Sequence, residues 1–361
     1  MTCRTDAERQ EEIIDWSLLN RFQELIETPR VSRDDGDVLG HSREGRPVRG
    51  FRFGNGPRAV SLLGGCHADE PVGPRLLRHL VGYLSLLQPD DPWFTAYQWW
   101  IVPHVNPDGE CLNATWADDD AMAYDFGRYL LGAVRELPGD DIEFGFPWDD
   151  SDIGARPENK ALLKWWRTCE WPFALHVSLH GTGFAAGPWF LIEGAWRDRC
   201  EDLKRRCLER IQALGYVPHD VERNGEKGFV RLGRGFCTRP DSRRMIEHFK
   251  GLGDPDTAGR FRPSSMETVR SFGGDPLTLV SEMPLFITPG VGETLGPPDP
   301  IAVRWKEQIM RWKGEVVASG ESKAITEAGS AEGIVAMPVR DQMELQWTLI
   351  RAGQKLTRVI S

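Results

Sequence analysis

The chain has no uninterrupted apolar run approaching the ~18 residues that a membrane span requires. Its first residues, MTCRTDAERQEE, lack the apolar stretch of a signal peptide. Positive charge is in deficit: 44 Lys and Arg against 54 Asp and Glu leave a formal charge of −10, which argues against general affinity for nucleic acid or anionic lipid. The seven cysteines are odd in number and make neither a CxxC zinc site nor a disulfide framework. Cys200 and Cys207 fall instead on one helical stripe with Leu203, Ile211 and Leu214. Reduced thiols in a cytoplasmic protein are therefore expected. Tyrosine is scarce, with five residues and none after Tyr216.

What remains is ordinary for a globular chain of 361 residues, with 40% hydrophobic and 27% charged residues. Apolar positions from Ile13 to Ile26 predict a helix over residues 8–26, within an N-terminal segment 1–37. Ala59–Leu63 and Gln98–Val102 read as strands, and Pro71 opens an amphipathic helix through Leu87. Within 110–156 only 121–137 looks helical. Arg156-Pro157-Glu158 opens a helix with Leu162, Leu163 and Trp166 inward. Phe173–His180, Trp189–Glu193 and Leu277–Ser281 are further strands. Residues 197–214 and those after Asp299 are further helices, whereas 220–275 is polar, Gly-rich and expected to loop over the surface. Alternating strands and helices predict an α/β fold, a mixed, largely parallel sheet flanked by helices. Residues 319–361 form a tail that is either a small β element or a linker with a docked end. Fourteen tryptophans, ten of them between Trp93 and Trp196, either pack the core or wall a pocket.

The most informative segment is Leu62-Leu63-Gly64-Gly65-Cys66-His67-Ala68-Asp69-Glu70-Pro71. A strand runs into two glycines, and His67 and Glu70 follow at a spacing that lets them converge beyond the strand's carboxyl end, where ligands sit in open α/β sheets. His180, closing the run from Phe173 ahead of Gly181, can reach the same crevice. His176, deeper on that strand, reads as a hydrogen-bonded core histidine, and His104 is the other histidine within range. Two imidazoles and one carboxylate suit a single zinc ion with one open position. A hydrolytic zinc site also needs a proton acceptor. Glu282, in Leu277-Thr278-Leu279-Val280-Ser281-Glu282-Met283-Pro284, is the candidate, because a carboxylate after an apolar strand is costly to bury without a task.

This pattern resembles the zinc carboxypeptidase family, typified by carboxypeptidase A, over roughly residues 38–318. Gly40-His41-Ser42-Arg43-Glu44-Gly45-Arg46-Pro47-Val48 is similar to its G-x-S-x-x-G-R-P-I segment, Asn106-Pro107-Asp108-Gly109 to its N-P-D-G turn, and Ser281-Glu282-Met283-Pro284 to its E-x-P context. Pro157-Glu158 opens the helix ahead of the third ligand strand, as in the family. The resemblance implies a zinc-dependent amide or peptide hydrolase, one Zn²⁺ per chain, with a peptide or small amide as its partner and neither nucleic acid nor membrane.

The departures concern substrate recognition. The family's carboxylate-binding Asn-Arg pair lies in a D-x-N-R-x-F run, matched here by Asp141-Ile142-Glu143-Phe144-Gly145-Phe146. Glu143 would repel a carboxylate, so the expectation is an amide with a neutral or cationic recognised end, read through Glu143, outside standard C-terminal exopeptidase specificity. Arg128 is the one arginine within reach for the family's oxyanion role, and the mobile tyrosine has no counterpart. Two other readings stand beside this one. The first is a deacylase of the succinylglutamate desuccinylase and aspartoacylase type. The second is a metal-retaining binding protein without catalysis.

Overall fold

In the computed structural model, residues 21–358 are described, apart from Val221, Asn224, Glu293, Thr294, Pro297 and Pro298. Arg21 to Glu27 is helical, and residues 8–20 of the expected first helix lie outside the described residues. The strands are β1 (Asp37–His41), β2 (Pro47–Phe53), β3 (Arg58–Gly64), β4 (Tyr97–Val102), β5 (Phe173–Ala185), β6 (Trp189–Ile192), β7 (Arg231–Gly233), β8 (Phe236–Thr238), β9 (Leu277–Ile287) and β10 (Val335–Ala336). They join in the order β1-β2-β4-β3-β5-β9-β6-β8-β7, with β10 against β9. The centre β4-β3-β5-β9 is parallel, and antiparallel pairs flank it on both sides. The sheet is mixed, and its parallel part is the part that carries the site.

Both faces of these central strands are covered, so they read as nearly continuous apolar runs rather than clean alternation. Leu175, Val177, Leu179, Leu279 and Met283 pack on one side with the helix Val72–Ser85 and the C-terminal helix Val339–Arg358. Leu63, Trp100, Phe146, Trp166 and Phe173 form the core on the other side. Tryptophans build the cores: Trp93 stacks with Trp99 at 5.4 Å and meets Trp347 at 5.6 Å between ring centroids.

Three expectations are corrected. Helix in 121–137 is confined to Phe126–Gly132, capped by Asp125. The segment 220–275 is no surface loop: it contributes β7, β8 and the helices Ser242–Gly251, Pro255–Ala258 and Ser265–Ser271. Its glycines and charges serve turns and caps, such as the Ser264–Glu267 capping box. In the tail the β element is only the two-residue β10, and the rest is two helices, Ser322–Ala331 and Val339–Arg358. The second crosses the sheet so closely that a Cβ on Gly353 would stand 2.9 Å from Leu175 and Leu279. No helix is long and apolar enough to cross a membrane among the described residues.

Trp347, 2% exposed within this helix, tests whether the C-terminal helix belongs to the folded unit. Trp347→Ala should cost ~3–5 kcal/mol of stability in urea unfolding. A loss under about 1 kcal/mol, the size of a surface substitution's effect, would show that the core stands without it.

Candidate metal centre

The loop after β3 is shaped by its glycines. Gly65 has φ +69°, and a Cβ there would come within 2.4 Å of the His104 ring. Asn106 caps the next short helix by accepting from Gly109 N at 3.1 Å. Its amide also donates to Glu136, whose other oxygen accepts Ala68 N at 3.0 Å. The N-P-D-G turn thus fixes the segment between His67 and Glu70. Asp108 of the same turn accepts Ser42 Oγ at 2.6 Å and Arg46 at 2.8 Å, which ties the G-x-S-x-x-G-R-P segment to it.

Donor atoms of His67, Glu70 and His180 all lie within 4.8 Å of one another. His180 Nδ1 is 2.9 Å from Glu70 Oε2, and the two imidazole rings are 4.9 Å apart. Period-two alternation aims the strand residues: His176, Ser178 and His180 of β5 share one face, as do Val280 and Glu282 of β9. The parallel register sets His180 beside Glu282. Both strands run on past these residues, to Ala185 and Ile287, rather than stopping at them.

The electrostatics fit a cation. Both Glu70 oxygens are buried without a hydrogen bond, although His180 and Arg135 stand at ion-pair distance. Burial pushes the His67 pKa down to about 3, so its lone pair is available to an ion. Burial opposes charge on His180 too, but Glu70 and hydrogen bonds to Cys66 and Glu143 hold it protonated, well above its ordinary range. Burial and then the Glu70 charge raise Glu282 to about 8, and a dication nearby would draw it down again. No hydrogen bond or ion pair ties up the Glu282 carboxylate among the described residues. A second donor set, Cys66, Glu143 and His180, also converges. It fits less well, because burial keeps the Cys66 thiol protonated and Glu143 is already occupied. Zinc suits the first set.

Glu143 is not the amine reader expected from the sequence. Its oxygens accept from Ser178 Oγ at 3.0 Å, Ser265 Oγ at 2.9 Å, His180 Nε2 at 3.3 Å and the guanidinium of Arg239. Burial disfavours its charge, yet Arg239 and His180 hold it ionised, well below the usual carboxylate range. It therefore orients His180 from behind, the arrangement that fixes metal-binding histidines. Arg128 does not reach the site either: its guanidinium donates to the Thr115 carbonyl on the exposed side of its helix. The arginine at the site is Arg135, 3.0 Å from both Asp69 and Glu70 and half-exposed to the cavity. Its lateness after N-P-D-G hid it, since Arg128 came first along the chain. His176 is the core histidine expected, held by Ser61 and Ser265 at 3.1 and 2.9 Å. His104 lies outside both donor sets and receives Asn106 N at 3.2 Å.

A cavity of about 330 Å³ opens over His67, His180 and Glu282. Its walls include Arg135, Phe144, Phe229, Arg239 and Phe261 but no tryptophan; most described tryptophans are core residues, while Trp148 and Trp171 are exposed.

Residues 35–190 match the family model described as zinc carboxypeptidase. This segment is similar to the zinc carboxypeptidase family. Mouse (Mus musculus) carboxypeptidase M is 31% identical over 126 residues, 33% of this chain and 26% of that protein. Carboxypeptidase SOL1 of Arabidopsis thaliana is 27% identical over 180 residues, 48% of this chain and 33% of its own. The matches thus span a third or less of the length of these relatives. A metallo-carboxypeptidase structure from Burkholderia cenocepacia aligns with a TM-score of 0.43 at 14% identity, over 96% of this chain and 68% of that one. The matched segment holds His67, Glu70 and His180, while Glu282 lies beyond it.

Two measurements follow. Glu143→Gln should weaken zinc binding roughly 10- to 100-fold in a chelator competition, because His180 loses its charged partner. Unchanged affinity would remove Glu143 from the centre. Because His180 is protonated in the metal-free protein, an incoming dication must displace that proton. Zinc affinity should therefore rise with pH through neutrality, with one proton released from His180 at pH 7 and up to one more from Glu282 as the dication lowers it. Calorimetry in two buffers of different ionisation heat counts them, and zero release would contradict the protonated clamp.

Proposed function

We propose that the protein is a zinc-dependent hydrolase of amide or peptide bonds, with His67, Glu70 and His180 as metal ligands and Glu282 as general base. The observation that carries the reading is the convergence of His67, Glu70 and His180 beside a cavity that His67, His180 and Glu282 line, from β5, β9 and the loop after β3. A zinc ion held there supplies Lewis acidity, polarising an amide carbonyl and acidifying a water. In this reading Glu282 takes the proton as that water's oxygen forms a bond to the carbonyl carbon. It then returns the proton to the amine nitrogen as the C–N bond breaks. Arg135, steered by Asp69 and Glu70, offers a guanidinium to the developing oxyanion, the role the sequence assigned to Arg128.

A second reading, an N-acyl amino acid deacylase, gains from the arginines in the cavity, since its anionic substrates require them. The helical tail lends it no support, because the expected β element amounts to two residues.

The test is turnover of a mixed set of peptides and N-acyl amino acids by wild type and Glu282→Gln, each assayed for zinc. Wild type should carry one zinc per chain and hydrolyse one of the two classes. The variant should keep its metal and lose roughly 10²- to 10⁴-fold in kcat. Full zinc with no turnover by either protein would favour a binding protein, and protein purified without zinc would sink the reading.

A further inference from the structure

The cavity's charges are unevenly paired. Near the ion site every cation is matched, Arg135 by Asp69 and Glu70. Across Glu143 from His180 the balance reverses. Arg239, 7% exposed, spends Nη2 on Glu143 and Ser265, while its Nη1 is buried with no hydrogen-bond partner. A buried, unpaired guanidinium N–H is costly, and native structures rarely leave one without a reason. Arg223 and Lys227 line the same cavity, and neither enters an ion pair among the described residues. The guanidinium of Arg223 lies over the Phe229 ring at 4.5 Å. Burial, and then the Arg223 charge, lowers the Lys227 pKa. Two cations repelling each other beside a third unsatisfied one leave room for a negative charge.

Apart from Glu282 at the ion site and Glu226, 3.8 Å from His248, the carboxylates in this region are occupied elsewhere. Asp141 accepts Phe144 N at 2.9 Å, and Glu136 is spent on Ala68 N and Asn106. The apolar walls, among them Phe144, Phe229, Met245 and Phe261, lower the local dielectric and strengthen any charge pairing. The sequence pointed the other way because the matched D-x-N-R-x-F run holds Glu143. The positive charge comes instead from residues 223–239, which a sequence reading assigns to surface loop.

We propose that Arg239 Nη1, with Arg223 and Lys227, forms an anion site that receives a carboxylate of the substrate, so that an acidic group determines specificity. The proposal rests on the hydrolase reading for its location beside the ion, but binding can be measured without turnover. The carboxylate has two sources, the terminal α-carboxylate or an acidic side chain.

The probes are N-acetyl-Ala-Glu, N-acetyl-Ala-Gln and the C-terminal amide of each, titrated calorimetrically into zinc-loaded Glu282→Gln protein so that none is consumed. At least one singly charged ligand should bind roughly 10- to 100-fold tighter than the neutral N-acetyl-Ala-Gln amide, an advantage that shrinks with added salt. Preference for the Glu amide over the Gln amide identifies a side-chain site, and preference for the Gln acid over its amide identifies an α-carboxylate site. Arg239→Met should abolish the preference. Since that variant also strips Glu143 of its partner, Arg223→Met/Lys227→Met provides a second arm that leaves the His180–Glu143 contact intact and should reduce the preference at unchanged zinc content. Equal binding of all four ligands, no binding of any, or a preference undiminished in the second variant would overturn the proposal. Absence of hydrolysis by wild type would count against the hydrolase reading alone.

Discussion

One imidazole organises the centre of this molecule. His180 is held between two buried carboxylates, Glu70 at Nδ1 and Glu143 at Nε2. Each carboxylate is in turn neutralised, Glu70 by Arg135 and Glu143 by Arg239. Removing one member of such a chain leaves an uncompensated charge in a low-dielectric interior, which costs more than the intact chain contributes. The sheet register, the loop glycines and the helix that begins at Ser265 all serve to keep this row of charges aligned.

The row also separates two chemistries. On the Glu70 side, buried oxygens without hydrogen bonds favour a cation. On the Arg239 side, an unpaired guanidinium N–H favours an anion. Glu143 belongs to both, since it accepts from His180 and from Arg239 at once. A group bound at one end will therefore be felt at the other through a single side chain. This is the minimum physical link that coupling between two sites requires.

Much of this was legible in the sequence. His67, Glu70, His180 and Glu282 could be named because each sits at a junction with a local signature: glycines after a strand, a histidine ahead of a glycine, a carboxylate in an apolar run. Arg135, Arg239, Arg223 and Lys227 had no such signature. Their positions depend on how 126–137 and 220–275 fold back over the strand ends, and polar, glycine-rich composition does not distinguish a folded cavity wall from a surface loop. Glu143 was found by its place in a motif but misread, because its partners Ser178, Ser265 and Arg239 are distant in sequence and near only in space. The C-terminal helix was missed for a related reason: its apolar face is interrupted by Gln342, Gln346 and Gln354, all fully buried.

Gln346 has one more consequence. Its amide nitrogen lies 3.3 Å from the backbone carbonyl of His180 and 3.2 Å from Ser281 Oγ, so the helix at Val339–Arg358 braces the two strands that bear His180 and Glu282. During synthesis, the ligand strands emerge from the ribosome long before this brace. A nascent chain would hold a loosely aligned centre until this helix has been made and docks. That order of assembly would postpone the alignment of the donor side chains until Val339–Arg358 is in place.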